Sequence, residues 1–251
     1  MSERLNRKPL TIDQDKFECI RADLCDRYPT LNIFTNRDGA TEVAGRFPVL
    51  DNDGKELESF SLSIILPSAY PTELPIVFEV GGKIPRTAER HVFSNGSACV
   101  FIPDDRWRCF PASSSFIDYL DGPLRNYFLS QLYYEETGKW LFGEYSHNEA
   151  GIIEYYQELF EIQDISTVIN FLFELCENKL RKQHVCPCGS GRKLKKCCLL
   201  KCRELRKKIT PEMALTALRR LYRKQLLYRE AALYYALRSR YEQAGYLSKS
   251  S

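Results

Sequence analysis

The sequence predicts an α+β fold in which one helix precedes an antiparallel sheet and further helices follow it. Three observations predict this order. Residues 11–28 carry apolar side chains at every third or fourth position. Runs rich in β-branched and aromatic residues then alternate with turn residues, and helical periodicity returns only after residue 114. Strands grouped before helices, rather than interleaved with them, are typical of an antiparallel sheet with helices packed at one side.

The first helix is predicted over residues 11–28. Phe17, Ile20 and Leu24 recur with the spacing of one helical face, and Pro29 ends the pattern.

Four strands are predicted after this helix. They cover residues 31–35, 41–50, 57–66 and 75–80. The second and third strands flank the turn Asp51–Gly54, a strong hairpin signal. No periodicity remains between Gly81 and Ser115, and a loop of this length inside a compact domain is usually functional.

Later helices are predicted from renewed periodicity. They cover residues 114–134, 149–162 and 165–181. Pro211 opens a further stretch, residues 211–243, which contains neither glycine nor another proline and is predicted as one long helix or two.

The composition predicts a globular cytoplasmic protein without a membrane partner. The chain has 251 residues, of which 44% are hydrophobic and 27% charged, and its mean hydropathy is −0.37. No apolar run approaches the roughly 18 residues that a membrane span needs. The N-terminus has no apolar segment after its charges, so no secretory signal is expected.

Charge is distributed unevenly along the chain. Residues 1–177 contain 16 Lys/Arg and 29 Asp/Glu, whereas residues 178–251 contain 20 Lys/Arg and 4 Asp/Glu. The basic part could bind nucleic acid, an acidic partner or the acidic part of its own chain, or it could be a solvated helix without a partner.

A cysteine cluster indicates a metal site. Cys186, Cys188, Cys197 and Cys198 form the pattern C-x-C-x8-C-C, and a glycine-rich reversal between the pairs would let four sulfurs meet at one Zn²⁺. Reduced cysteines without metal are the alternative. Residues 184–198 resemble the SEC-C motif, a zinc knuckle at the C-terminus of the SecA translocation ATPase that is also appended to many bacterial proteins. The resemblance implies structural zinc and a role in recruitment or stability.

A second motif surrounds Cys99. Tyr70 begins a Tyr-Pro turn, His91 lies eight residues before the cysteine, Asn95 opens an N-G-x-x-C segment, and Trp107 follows eight residues after the cysteine. This arrangement resembles the catalytic core of ubiquitin-conjugating enzymes.

The resemblance implies a fold and a set of site residues. The fold would be that of ubiquitin-conjugating enzymes, with Cys99 carrying an acyl group as a thioester and passing it to an amine. His91 falls at the position of the family's oxyanion-stabilising Asn. It could donate a hydrogen bond, act as a base or only structure the loop. Asn95 belongs to the family's N-G-x-x-C motif. Asp104 and Asp105 are the nearest carboxylates that could orient the amine, or they are loop surface.

In the family pattern an Asn stands where this chain has His91. Divergent prokaryotic members of this family, many of them from antiphage-defence operons, depart from the pattern in similar ways. By that resemblance the carried group is a ubiquitin-like modifier or a target protein's C-terminus, such as that of a cGAS-like nucleotidyltransferase, and an activating enzyme is a further partner. The resulting division is a catalytic domain at 1–165, a connecting helix at 166–182, the SEC-C knuckle at 183–202 and a basic helical tail at 203–251.

Two other functions stay open. The chain could be a non-catalytic relative that uses the same fold as an interaction module. It could instead be a zinc-dependent nucleic-acid binder, because tyrosines interleave with basic residues in the tail. These are Tyr222, Tyr228, Tyr234, Tyr235 and Tyr241.

Overall fold

The chain divides into two compact units, Met1–Glu144 and Tyr145–Ser251. The computed structural model describes residues 11–51, 53–111, 113–141, 145 and 149–223. Most of the predicted basic tail therefore lies outside the described residues, including Tyr228, Tyr234, Tyr235 and Tyr241.

The first unit opens with the predicted helix, α1 (Gln14–Arg27). The Asp13 side chain accepts hydrogen bonds from backbone N–H groups of the first turn, which caps the helix. Ile20 and Leu24 are buried against the core, and the helix ends just before Pro29.

An antiparallel four-stranded sheet follows. Its strands are β1 (Leu31–Thr35), β2 (Thr41–Leu50), β3 (Glu56–Leu66) and β4 (Ile76–Glu79). The strands pair in sequence order, and each bound lies within one residue of the prediction. Along β2, Val43, Phe47 and Val49 alternate with more exposed residues, so this strand buries one face in the core.

Short helices follow the sheet. They are α2 (Arg106–Cys109), α3 (Phe116–Tyr119) and α4 (Arg125–Thr137). The helix predicted over 114–134 corresponds to α3 and α4 together, with a π-helical turn at Leu120–Leu124 between them. Pro123 lies inside that turn and has no backbone N–H to donate, which accounts for the interruption.

Four α-helices lie in the described part of the second unit. They are α5 (Glu149–Phe160), α6 (Ile165–Leu175), α7 (Leu199–Lys208) and α8 (Pro211–Arg223). Helix α6 contacts α5, α7 and α8 and buries Val168, Phe171 and Leu172. Helix α5 lies in this second compact unit, whereas the predicted catalytic domain extends to residue 165. The boundary at residue 165 stays a prediction. Among the described helices, none is both long and apolar enough to cross a membrane.

Candidate active-site hairpin and cysteine cluster

Cys99 lies at the end of a small hairpin formed by residues 91–99. Val92 pairs with Ala98 in antiparallel fashion, which makes His91 and Cys99 the next pair. The backbone N–H of Cys99 donates to the carbonyl of His91 at 2.7 Å. The two candidate residues, eight apart in sequence, are therefore held side by side.

Asn95 shapes the tip of this hairpin. Its side-chain oxygen accepts hydrogen bonds from the backbone N–H of Ser97 at 3.0 Å and from the Ser97 hydroxyl at 2.7 Å. Gly96 has a left-handed φ of 85°, which glycine adopts without strain. The exposed Asn95 is thus a turn-forming residue in this structure.

The hairpin is attached to the end of the sheet. The backbone N–H of Ala98 donates to the carbonyl of Val77 in β4 at 2.7 Å, and Ser97 pairs with Phe78. Cys99 is consequently fixed by backbone hydrogen bonds while its side chain stays only partly buried. A fixed thiol that solvent can reach suits a nucleophile.

His91 has an unusual backbone conformation. Its φ of 50° and ψ of 44° are left-handed, which costs a non-glycine residue on the order of 1 kcal/mol. Its ring meets the ring of Trp140 edge-on, with centroids 4.4 Å apart. Strained residues that neighbouring packing holds in place are frequent at functional sites.

Arg90 anchors this hairpin to α4. Its Nε donates to the Gln131 side chain at 2.7 Å, and its Nη1 pairs with Glu135 at 2.6 Å. Its carbonyl accepts from the Gln131 amide at 2.7 Å and from the Tyr127 hydroxyl at 3.2 Å. Its guanidinium also lies over the Tyr134 ring at 5.1 Å. Sequence reasoning missed the contact between Arg90 and Gln131, because the two residues lie 41 positions apart in the chain.

The Tyr-Pro turn and the segment after Cys99 meet through Arg106. The Arg106 guanidinium donates to the backbone carbonyls of Pro71 and Thr72. Tyr70 is buried, and Trp107, next to Arg106 in α2, is partly buried. Arg106 therefore joins the Tyr-Pro turn to the helix that carries Trp107.

Asp104 and Asp105 are not loop surface, since only 3% and 4% of their surfaces are exposed. The Asp105 carboxylate forms an ion pair with Arg108 and accepts a hydrogen bond from the Cys109 thiol at 3.3 Å. The loop-surface interpretation of these carboxylates is wrong, because both are the buried residues of the turn Pro103–Asp105.

The two thiols of this loop have different surroundings. Burial, followed by the charge of Asp105, raises the pKa of Cys109 to about 12. Burial is also the largest cause of the raised pKa of Tyr119 and Tyr127, and the charge of Cys99 contributes to both increases. Cys109 is thus kept as an unreactive thiol.

The four predicted cysteines of the second unit converge. The Sγ atoms of Cys186, Cys188, Cys197 and Cys198 all lie within 4.8 Å of one another. The separation is 3.5 Å between Cys188 and Cys197 and 3.7 Å between Cys197 and Cys198. Sulfurs at about 2.3 Å around a tetrahedral ion lie about 3.8 Å apart, so this donor set fits a tetrahedral metal ion.

Neighbouring donors favour the ionised form of two of these sulfurs, because they lower the pKa of Cys188 and Cys197, whereas burial raises the pKa of Cys186 and Cys198. The Arg192 guanidinium donates to the Cys197 Sγ at 3.3 Å, and the Ser190 hydroxyl lies 3.4 Å from the same atom. Burial opposes ionisation of Cys188, but hydrogen bonds with Ser190, Cys186 and Cys197 together lower the pKa of Cys188 to about 6. Such donors around metal-binding sulfurs are typical of thiolate sites.

Comparison with known proteins gives one motif and two partial likenesses. Residues 185–200 match the SEC-C motif. No curated protein matches the chain. A complex of the Vps23 UEV with ubiquitin is 17% identical and is aligned over 45% of this chain and 81% of its own, with a TM-score of 0.30. The yeast vps23 UEV domain in complex with a vps27 PSDP peptide is 17% identical over 49% of this chain and 85% of its own, with a TM-score of 0.32.

Both TM-scores are too low to support a statement about fold or function. The class that the fold and sites define is an α+β protein with a cysteine-bearing hairpin at the end of its sheet. The chain also carries a C-terminal SEC-C motif whose four cysteines can hold a metal ion.

Proposed function

We propose that this chain is a cysteine-dependent conjugating enzyme of the ubiquitin-conjugating type. Cys99 would carry a ubiquitin-like modifier or a protein C-terminus as a thioester and transfer it to an amine. The observation that carries the proposal is the hairpin that fixes the partly exposed Cys99 beside His91 at the end of the sheet. The order of α1, the four-stranded sheet, the hairpin and the later helices supports it, because the resemblance requires this order.

The proposed reaction is two acyl transfers. The Cys99 thiolate attacks the carbonyl of an activated thioester, and the tetrahedral intermediate collapses with loss of the donor thiolate. An amine then attacks the new thioester, loses a proton and releases the Cys99 thiolate as the amide forms. Because a thioester is already activated, a positioned hydrogen-bond donor matters more than a strong base.

His91 is proposed to donate that hydrogen bond to the oxyanion. Its backbone carbonyl accepts a hydrogen bond from the Cys99 N–H, which holds the two residues side by side. Asp104 and Asp105, the carboxylates nearest after Cys99 in the sequence, are proposed to orient the amine. Asn95 would serve the site by setting the shape of the hairpin.

The cysteine cluster is proposed to hold one structural Zn²⁺. Four sulfur ligands leave no open position on the ion, so this site would stabilise the knuckle and take no part in acyl transfer. In line with the SEC-C resemblance, the second unit would serve recruitment or stability.

The proposed partners rest on the resemblance to prokaryotic conjugating enzymes. They are an activating enzyme together with a modifier or a target C-terminus, such as the tail of a cGAS-like nucleotidyltransferase. The proposed setting is the cytoplasm, within an antiphage-defence operon.

A gel assay tests the proposal. The full chain would be produced with its genomic neighbours and separated with and without dithiothreitol. We expect a dithiothreitol-sensitive adduct in the wild type, none in Cys99→Ala and a resistant oxyester in Cys99→Ser. Cys109→Ser is the matched control and should retain the adduct. If none of these chains forms any adduct with any neighbour, the non-catalytic interaction module replaces the proposed enzyme.

A further inference from the structure

The backbone and the ring of His91 are restrained by different neighbours. The backbone is fixed within the first unit, since its N–H donates to the carbonyl of Ala88 at 2.8 Å and its carbonyl accepts from the N–H of Cys99 at 2.7 Å. These bonds do not restrain the side-chain torsions. A hydrogen-bond donor assists a reaction only when it is aimed at the reacting group, so the role proposed for His91 depends on what holds its ring.

Trp140 is in contact with that ring. The two ring centroids are 4.4 Å apart, and the ring planes meet at 72°. Edge-on contacts between aromatic rings are favourable, because the positive edge of one ring meets the negative face of the other. The contact therefore favours one orientation of the His91 imidazole over the others.

The end of α4 brings Trp140 back onto the helix. Gly138 caps α4 with a left-handed φ of 69°, and its N–H donates to the carbonyl of Tyr134 at 2.8 Å. Two residues later the Trp140 ring packs against the Tyr134 ring, with centroids 4.9 Å apart and planes tilted by 32°. Trp140 is thus attached to α4, while the ring that it contacts belongs to the active-site hairpin.

Arg90 completes a series of stacked groups. Its guanidinium lies over the Tyr134 ring at 5.1 Å, the Tyr134 ring packs against Trp140, and Trp140 packs against His91. The series therefore begins and ends at two adjacent residues, and the end of α4 supplies the two rings between them. Rotation of the His91 ring away from Trp140 would open this series at one end.

Trp140 holds its neighbours by packing. In the described part of the chain its buried Nε1 has no hydrogen-bond partner. Phenylalanine at this position would keep an aromatic ring without losing a hydrogen bond, whereas leucine or methionine would keep only apolar bulk. Substitutions can therefore separate the ring contact from the filling of space.

We propose that Trp140 is a positioning residue of the site, which holds the His91 imidazole in the orientation from which it donates to the oxyanion. This inference rests on the proposed acyl transfer at Cys99. In this role Trp140 touches neither the sulfur nor the acyl group, and its effect on the rate passes through His91. Loss of the contact should slow the reaction without removing the cysteine that carries the thioester.

The test measures discharge of a preformed Cys99 thioester to free lysine, with the full chain loaded by co-production with its genomic neighbours. Trp140→Leu should slow discharge by about tenfold to a hundredfold, because a misplacement of about 1 Å can cost about 10² in rate. Trp140→Phe keeps the ring and should stay within about threefold of the wild type. Tyr133→Leu removes a more exposed ring from the same helix, and this matched control should discharge at the wild-type rate.

A double substitution separates positioning from a structural role. In His91→Ala no side-chain donor remains to be positioned, so the addition of Trp140→Leu should slow discharge by less than about twofold. If Trp140 instead stabilised the whole hairpin, the second substitution would slow discharge as much as it does in the wild type. If circular dichroism shows that Trp140→Leu is misfolded, Trp140→Met replaces it with the same expectations.

Nuclear magnetic resonance detects the contact without any reaction. The chain has three histidines, and the ring signals of His91 are those that disappear in His91→Ala. Because an aromatic ring shifts the resonances of protons close to it, Trp140→Leu should move the His91 ring signals. Tyr133→Leu should leave them in place.

The outcomes distinguish this role from the proposed function. If the wild type forms no Cys99 thioester, the proposed function fails and the role of Trp140 fails with it. If the wild type forms the thioester but Trp140→Leu discharges it at the wild-type rate, only the role of Trp140 is overturned. An equal slowing by Trp140→Leu in the presence and absence of the His91 side chain, or unchanged His91 ring signals, would overturn that role as well.

Discussion

At the residue scale, the clearest feature is the raised pKa of Cys109, the second thiol in the loop after Cys99. The pKa of Cys109 is raised to about 12, so its reactive thiolate becomes abundant only as the pH approaches that value. We predict that iodoacetamide modifies Cys109 much more slowly at pH 8 than it modifies the exposed Cys25. Peptide mass spectrometry over a time course measures both rates. Asp105→Asn should accelerate the modification of Cys109 less than tenfold, because burial is the larger cause of the raised pKa. If Cys109 were modified as fast as Cys25, its assignment as an inert thiol would be refuted.

His91 combines a donor side chain with a left-handed backbone, and substitutions can separate the two. His91→Ala should slow discharge of a preformed thioester to lysine by about 10²–10³, the usual cost of losing one oxyanion donor. His91→Asn keeps a donor and tolerates a positive φ, so it should retain much more activity. His91→Gly relieves the backbone without supplying a donor and should resemble His91→Ala. Near-wild-type rates in all three variants would make His91 a structural residue only.

At the element scale, the contact between Arg90 and α4 fixes the active-site hairpin. We predict that Arg90→Met lowers the free energy of unfolding by about 2 kcal/mol, because it removes charged hydrogen bonds and leaves the buried Gln131 side-chain oxygen without its donor. Urea titration followed by tryptophan fluorescence measures the change. Arg86→Met, an exposed control a few residues earlier, should change stability by less than about 0.5 kcal/mol. Equal effects of the two substitutions would show that the contact does not stabilise the unit.

The cysteine knuckle gives a second prediction at this scale. Protein purified without chelators should contain one Zn²⁺ per chain, and Cys188→Ser should lose it. Structural zinc contributes on the order of 10–16 kcal/mol in small zinc modules, so the knuckle should unfold when the ion is removed. Cys176→Ser is the control, since Cys176 lies outside the cluster and should leave the metal content unchanged. Elemental analysis that finds no zinc in the wild type would contradict the assignment.

These elements also show how far sequence reasoning reaches. The strands could be predicted within one residue, because alternation along β2 and β3 and the turn between them are local signals. The cysteine cluster was equally accessible, since its ligands lie within 13 residues. The burial of Asp104 and Asp105 could not be predicted, because it depends on packing between distant segments. The π-helical turn could not be predicted, because the sequence alone does not show that the helix continues on both sides of Pro123.

At the scale of the whole molecule, the charge division predicted at residue 177 does not coincide with the compact units. Residues 1–144 contain 16 Lys/Arg and 22 Asp/Glu, and residues 145–251 contain 20 Lys/Arg and 11 Asp/Glu. Seven carboxylates from residues 149–177 therefore share a unit with the basic part, and two of them pair with Arg181.

The central claim is that Cys99 forms the thioester, and one measurement tests it most directly. The full chain would be co-produced with its genomic neighbours, quenched in acid without reductant and analysed by intact-protein and peptide mass spectrometry. We predict one protein adduct, joined through its C-terminal carboxyl group to Cys99 and released by dithiothreitol. An adduct that maps to another cysteine, or that persists in Cys99→Ala, would contradict the account.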